Sequence, residues 1–171
     1  MEESNSPKKH SHFSGDARAG EHPYGDRGQL ICLLVFLVIW VLDSFVLKFS
    51  TFLSNIVPLY IRLITAGLIS IPAIYLVRSG HRAISHEVIS SSQLITDGAF
   101  ARMRHPLYLA SLLFYVCLIL LTLSLISLFI FVCIFIFYNS IASYEEKYLE
   151  KKFGQDYLDY KKNVLKWIPR L

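Results

Sequence analysis

Two polar clusters break an otherwise apolar C-terminal half: Arg104-His105-Pro106-Leu107-Tyr108 and, far downstream, Ser143-Tyr144-Glu145-Glu146. The first offers a guanidinium and an imidazole, the second a pair of carboxylates. Pro106 suits the first turn of a helix, where its missing N–H is no loss. Arg104 and His105 then sit just ahead of that helix, near its positive end, where an anionic group is favoured. Taken singly, a basic pair before an apolar run serves as an interfacial anchor, and a Glu pair after one is a solvated helix end. The two gain meaning together if the apolar run between them, Leu107 to Tyr138, folds back on itself. A hairpin returns its ends to one side, so the cations and carboxylates would form one composite pocket. No Gly-rich dinucleotide loop is present. His10, His12 and His22 lack a Cys or a second cluster to fix a geometry, so no metal site is expected.

The elements that must position these residues are membrane helices. Of the 171 residues 54% are hydrophobic and only 18% charged, which is too apolar for an ordinary soluble domain. The apolar residues form runs from Leu30 to Leu47, Ile56 to Val77 and Leu107 to Tyr138 instead of periodic stripes. The first run follows a polar stretch and precedes no small-residue cleavage site, so it is expected to stay as an anchor and not to be removed as a signal peptide. The third run would span about 48 Å as one helix, against a hydrocarbon core of about 30 Å. It is therefore predicted to be a hairpin turning around Leu121 to Ser127, although no Gly or Pro marks the turn. Cys32, Cys117 and Cys133 all lie inside apolar runs, which reads as buried thiols. Asp43 and Arg62 are ionisable groups within the first two runs, and neither is assigned to the site; helix pairing or snorkelling suits Asp43 at least as well as catalysis.

The expected fold is an all-α integral membrane protein of about four transmembrane helices, near 30–47, 56–77, 106–122 and 124–142, the last two forming a tight hairpin. Residues 1–28 read as a disordered cytoplasmic arm, 29–171 as the membrane domain, and 143–171 as a cytoplasmic tail. Within the tail, Phe153, Tyr157, Tyr160, Val164 and Trp167 recur at helix-like spacing among lysines. That pattern predicts an interfacial helix that covers or anchors a pocket. An even number of spans puts Lys8, Lys9, Arg78, Arg82, Arg102, Arg104 and the basic tail on one side, leaving Lys48 on the other. By the positive-inside rule, both termini are then cytoplasmic. The net charge of +4 reflects these flanking residues, and no nucleic-acid partner is expected.

The order of a Gly98-containing lead-in, RHPLY at 104–108, an apolar hairpin, Glu145-Glu146 and then FGQDYLDY at 153–160 resembles the isoprenylcysteine carboxyl methyltransferase family. Its wider relatives include the membrane phospholipid methyltransferases. The resemblance covers about the last eighty residues, and the order and spacing make it far more specific than RHP alone. The lead-in departs from the family with Ala99-Phe100 where many members have Pro-Tyr, and Ala110 stands where a Gly is common.

The resemblance implies that S-adenosylmethionine binds between the RHPxY segment and the Glu-Glu helix end. His105, Pro106, Tyr108, Glu145 and Glu146 are the implied cofactor-binding residues, with Arg104 and Glu145 as catalytic residues. Carboxylates suit the cofactor's ammonium or ribose hydroxyls, and Tyr108 offers an aromatic face to a cation or an adenine. Methyl transfer from a sulfonium is an in-line displacement that needs alignment and exclusion of water, not a metal. The implied partner is a lipophilic small-molecule or prenylated acceptor reached through membrane lipid. A carboxylate acceptor is already ionised near neutral pH, whereas an amine, as in a phospholipid N-methyltransferase, must lose a proton to Glu145 or Glu146. Two alternatives are an NADPH-dependent membrane reductase of the sterol type, which has a similar Arg/His-Pro-x-Tyr segment, and a non-catalytic membrane protein. Against the reductase, Leu109-Ala110-Ser111 lacks the acidic residue expected after its tyrosine.

Overall fold

The computed structural model describes residues 25–87 and 94–169. Among them every regular element is a helix and no strand occurs. Helix α1 runs Gly25–Val41 and passes into a π-helical turn, Leu42–Leu47. After a short 3-10 turn at Phe52–Asn55 come α2 (Leu59–Glu87), α3 (Pro106–Thr122), α4 (Leu125–Phe153) and α5 (Gln155–Asn163). Three helical segments, Arg27–Leu47, Leu59–Ala83 and Leu125–Phe153, are long and apolar enough to cross a bilayer. The fourth, α3, is a shorter apolar helix of 17 residues, at the lower limit for a span. Large apolar side chains such as Leu34, Ile64, Ile71, Phe129 and Ile136 point outward, as a lipid solvent allows.

Three of the helices, α1, α2 and α4, extend past the expected boundaries. Most of the polar arm, residues 1–24 with its three histidines, lies outside the described residues, but Gly25 to Gly28 already belong to α1. The helix that carries the last expected span runs on past Ala142, as α4 continues unbroken to Phe153. Its 29 residues cover about 44 Å, so the charged final turns from Ser143 onward project beyond a hydrocarbon core of about 30 Å. The Glu pair thus rides on the hairpin helix itself and not on a separate tail. Gly154 stops that helix with φ +56°, a backbone angle that favours glycine, and α5 starts at a new angle.

The hairpin turn is a two-residue device. Leu123 takes a left-handed conformation (φ +53°), and the buried Ser124 caps α4 by accepting a hydrogen bond from Ser127 N at 3.0 Å. Asp43 explains why the turn is held there. Its carboxylate accepts Ser50 N at 3.0 Å, Ser50 Oγ at 2.5 Å and Ser124 Oγ at 2.5 Å, joining the end of α1 to the hairpin tip. Two carbonyls near the end of α3 also receive side-chain donors. Trp40 Nε1 donates to Leu118 O at 3.0 Å, and Arg62 Nη1 donates to Leu121 O at 2.7 Å. Asp43 and Arg62 thus hold helices together at the end of the bundle away from the Arg104–Tyr108 and Glu145–Glu146 clusters.

Helix α2 packs along α3, and α1 along α4. Phe36, Leu112, Tyr115, Ile119, Ile134 and Tyr138 form one buried cluster, and Leu76, Ala99, Met103 and Ala110 a second, which seats the lead-in loop under the start of α3. Gly80 permits this seating: a Cβ there would lie 2.6 Å from Leu107 Cδ2.

Candidate functional site

Pro106 opens α3 at its first turn, so Arg104 and His105 are delivered to the helix mouth, while Tyr108 follows on the first turn. Across the hairpin, the extended α4 presents Glu145 and Glu146 to the same spot. The two sequence clusters therefore meet. Arg104 Nη1 lies 3.1 Å from Glu146 Oε2, and His105 Nε2 lies 3.1 Å from Glu146 Oε1. Lys161 Nζ of α5 adds a third partner at 3.5 Å and also pairs with Glu150 at 2.5 Å. Glu146 is only 6% exposed, and burial alone would raise its pKa. The hydrogen bond with His105 and the charges of Arg104, His105 and Lys166 more than offset that, holding the carboxyl below its ordinary value. It is an ionised hub around which the cations are arranged.

Glu145 plays a different part in the geometry. It accepts a hydrogen bond from Tyr108 OH and lies 3.9 Å from His105 Nδ1, with its side chain 23% exposed against 8% for Glu146. The more accessible carboxylate is thus the one tied to the tyrosine. The Tyr108 and His105 rings stack at 5.6 Å, inclined by only 8°, so the aromatic face and the imidazole form one surface.

The tail wraps over this cluster. Tyr160 OH donates to Phe100 O at 2.7 Å, and Arg104 N donates to Leu165 O at 3.0 Å, so the α5 segment grips the lead-in loop. Trp167 lies 5.8 Å from the His105 ring. Tyr157 OH is buried beside Arg104, and burial followed by the Glu146 charge pushes its pKa up to about 12, so it stays protonated. Arg104 Nε and Nη1 are buried without a hydrogen-bond partner among the described residues. The 3.1 Å approach to Glu146 is thus a charge contact that leaves donors free.

An apolar cleft of about 470 Å³ lies next to the cluster, between α1 and α2 and floored by α3 and α4. Leu30 and Leu33 line one wall and Val77 the other, with Ala110, Phe114 and Tyr138 beneath. The Tyr138 ring is 5.6 Å from the Tyr108 ring, so the floor of the cleft abuts the polar cluster.

All of Arg104, His105, Pro106, Tyr108, Glu145 and Glu146 come together as the motif order implied. Lys161 and Asn139 were missed. Lys161 was one lysine among many in a basic tail, and Asn139 was hidden as a single polar residue in an apolar run, although a lone Asn in a span is itself a signal. No curated protein and no solved structure matches the chain. A family described as phospholipid methyltransferase matches residues 61–156, more than half of the chain, from α2 through the hairpin and the Glu pair to the start of α5. The chain belongs to the phospholipid methyltransferase family.

Proposed function

We propose that this protein transfers a methyl group from S-adenosylmethionine to a lipophilic acceptor that arrives through the bilayer. The single observation that carries this reading is adjacency: a charged cluster and an apolar cleft share the Tyr108–Tyr138 contact. A polar donor and an apolar acceptor need two such compartments meeting at one boundary.

The residues present fit the cofactor. Arg104 has buried donors without partners, suited to a carboxylate; Glu145 is an acceptor for an ammonium or ribose hydroxyl. His105, Tyr108 and Glu146 would shape the same pocket, with Pro106 fixing the helix mouth. When bound, S-adenosylmethionine supplies a methyl group on a sulfonium, a leaving group already activated for displacement. The chain's own work is then to orient both reactants and keep water out. Trp167 covers the cluster from the tail side, and the buried Glu146 hub keeps Arg104 and His105 in place.

Two acceptor chemistries suit this arrangement. An isoprenylcysteine-type carboxylate is ionised near neutral pH and asks for no base. A phospholipid amine must shed a proton, and the family match is as consistent with this second reading as with the first. Glu145, the more accessible carboxylate, is the residue placed to take that proton. The match also favours methyl transfer over the reductase alternative. The basic residues Arg78, Arg82, Arg102 and those of the tail gather at the cluster's end of the bundle, which supports a cytoplasmic site with both termini inside.

Incubating the reconstituted protein with methyl-labelled S-adenosylmethionine and a lipid extract tests the proposal. A labelled lipid product is expected. Release of the label as methanol by mild alkali identifies a methyl ester, and alkali-stable label in the headgroup identifies an N-methyl amine. No labelled lipid with either acceptor class present would refute it.

A further inference from the structure

The chain beyond α5 is fastened at a point that methyl transfer as described above does not use. Val164 turns into extended backbone, and Leu165 pairs with Met103 in an isolated parallel bridge. The next two side chains then converge on Asn139 of α4. Lys166 Nζ donates to Asn139 Oδ1 at 2.9 Å, to its main-chain oxygen at 3.2 Å and to Ser143 Oγ at 2.8 Å. Trp167 Nε1 donates to the same Asn139 Oδ1 at 3.2 Å. Between these anchors the Trp167 ring bridges Phe135 and His105, at 5.8 Å from each.

Asn139 stands in the run FIFYNSIA, where a side-chain amide is costly near the apolar boundary unless it is partnered. Its oxygen is partnered twice, and both partners come from the strap 164–167. The strap in turn lies over Arg104 and His105. A residue outside the polar cluster thus decides where the cover of that cluster rests.

We propose that Asn139 is a positioning residue that latches the C-terminal strap, so that Trp167 closes against His105 and completes the methyl-donor pocket. The pocket half of this proposal rests on the methyl-transfer reading; the latch half does not. The latch works through an acceptor, since both strap side chains donate to Oδ1 and neither bond uses the Asn amide N–H. Asn139→Asp keeps the acceptor and should keep the strap closed. Asn139→Leu, of similar size, removes Oδ1 and with it the acceptor of Trp167, while Lys166 keeps the main-chain oxygen and Ser143 Oγ. Donor affinity then falls with the closed fraction of the strap, because only the closed state has a complete pocket.

The test uses the full chain labelled with 5-fluorotryptophan and reconstituted in nanodiscs. The sequence has two tryptophans, so two fluorine resonances are expected, with Trp167→Phe assigning that of Trp167. Trp40, bonded to Leu118 and Thr122 at the far end of α3, reports whether the bundle is intact. In Asn139→Leu the Trp167 resonance should move toward the position of solvent-exposed tryptophan while that of Trp40 stays. S-adenosylmethionine should bind about tenfold more weakly, with kcat at saturating donor changed by less than about twofold. Asn139→Asp should match the parent in both measurements. A Trp167 resonance unmoved by Asn139→Leu, or moved as far by Asn139→Asp, would overturn the latch. A moved resonance with unchanged donor affinity would overturn its role in the pocket. If the parent itself binds no S-adenosylmethionine, the methyl-transfer reading and the pocket role fall together, while the resonances still decide the latch.

Discussion

Glu146→Gln is the substitution for which the structure supports the most detailed expectation. Glu146 faces Arg104, His105 and Lys161, and its side chain is 8% exposed. The Lys161 contact is discounted, because that side chain is 38% exposed and such pairs contribute at most about 1 kcal/mol. The Arg104 contact is buried but poorly aligned for hydrogen bonding, so its worth is mainly that of charge neutralisation. The His105 hydrogen bond at 3.1 Å is charge-assisted and contributes about 1.5–3 kcal/mol. Gln keeps the shape and an acceptor but loses the charge, leaving a buried guanidinium without its counter-ion. A net cost of about 2–4 kcal/mol follows, below the full penalty for stripping a buried pair. For a chain of this size that is on the order of a 5–10 °C fall in Tm. Because Arg104 and His105 lose their anchor, S-adenosylmethionine binding should weaken by roughly 10–100-fold. Glu145→Gln is the comparison: it is more exposed and its contact with His105 is longer, at 3.9 Å, so Tm should fall less while kcat falls. The assay is thermal unfolding in detergent beside equilibrium binding of labelled cofactor. Parent-like Tm and affinity in Glu146→Gln would refute the hub reasoning. Equal effects of the two Gln variants on Tm would refute the division of roles.

The lowered pKa of Glu146 sets a pH window: its stabilisation is complete above the unfolded carboxyl pKa of about 4.3 and is lost as pH falls through the lower folded value. The Tm should therefore drop on acidification below about pH 4.3, and drop less in Glu146→Gln, as a pH series of melting curves will show. Asp43→Ala removes the shared acceptor of Ser50 N, Ser50 Oγ and Ser124 Oγ and should cost about 2–4 kcal/mol of stability, yet leave cofactor affinity within about twofold, since the Asp43 cluster lies at the hairpin tip and does not touch the site. Single cysteines placed at 49–55 should be labelled from outside intact cells and those in the C-terminal tail only after permeabilisation; a C-terminus labelled from outside would contradict the cytoplasmic site. Lengthening the acceptor's apolar chain should raise apparent affinity in vesicles by up to about 0.8 kcal/mol per CH₂, and equal turnover of a water-soluble truncated acceptor would exclude entry from the bilayer.

Hydropathy alone made the helices legible, because a run such as Leu107 to Tyr138 is too long for one span and its charged flanks demand that it return. The meeting of His105 with Glu146 followed from that return. What the pattern hid were features decided by propensity or by tertiary path. The segment Glu145 to Lys152 looks like the start of a tail because it is charged, yet Glu, Lys, Tyr and Leu sustain a helix, and nothing breaks it before Gly154. The turn at Leu123 carries no glycine; its signal was Ser124, a helix-capping residue inside an apolar run. Asp43 was read correctly as a candidate for helix pairing, but its serine partners are 7 and 81 residues away and share no local pattern. Lys161 and Asn139 matter only because α5 and the strap fold back across the hairpin, and periodicity does not encode that path.

The central claim is that the Arg104–Glu146 cluster binds a methyl donor beside a lipid-facing cleft. Single-turnover transfer of labelled methyl into lipid, by the purified protein in vesicles and compared with His105→Ala and Glu145→Gln, tests it most directly. Methyl transfer predicts label in the lipid fraction for the parent, with at least tenfold slower transfer in both variants and all three proteins inserted equally. Label transferred at the parental rate by both variants would contradict the placement of the site, and no transfer by the parent would contradict the function itself.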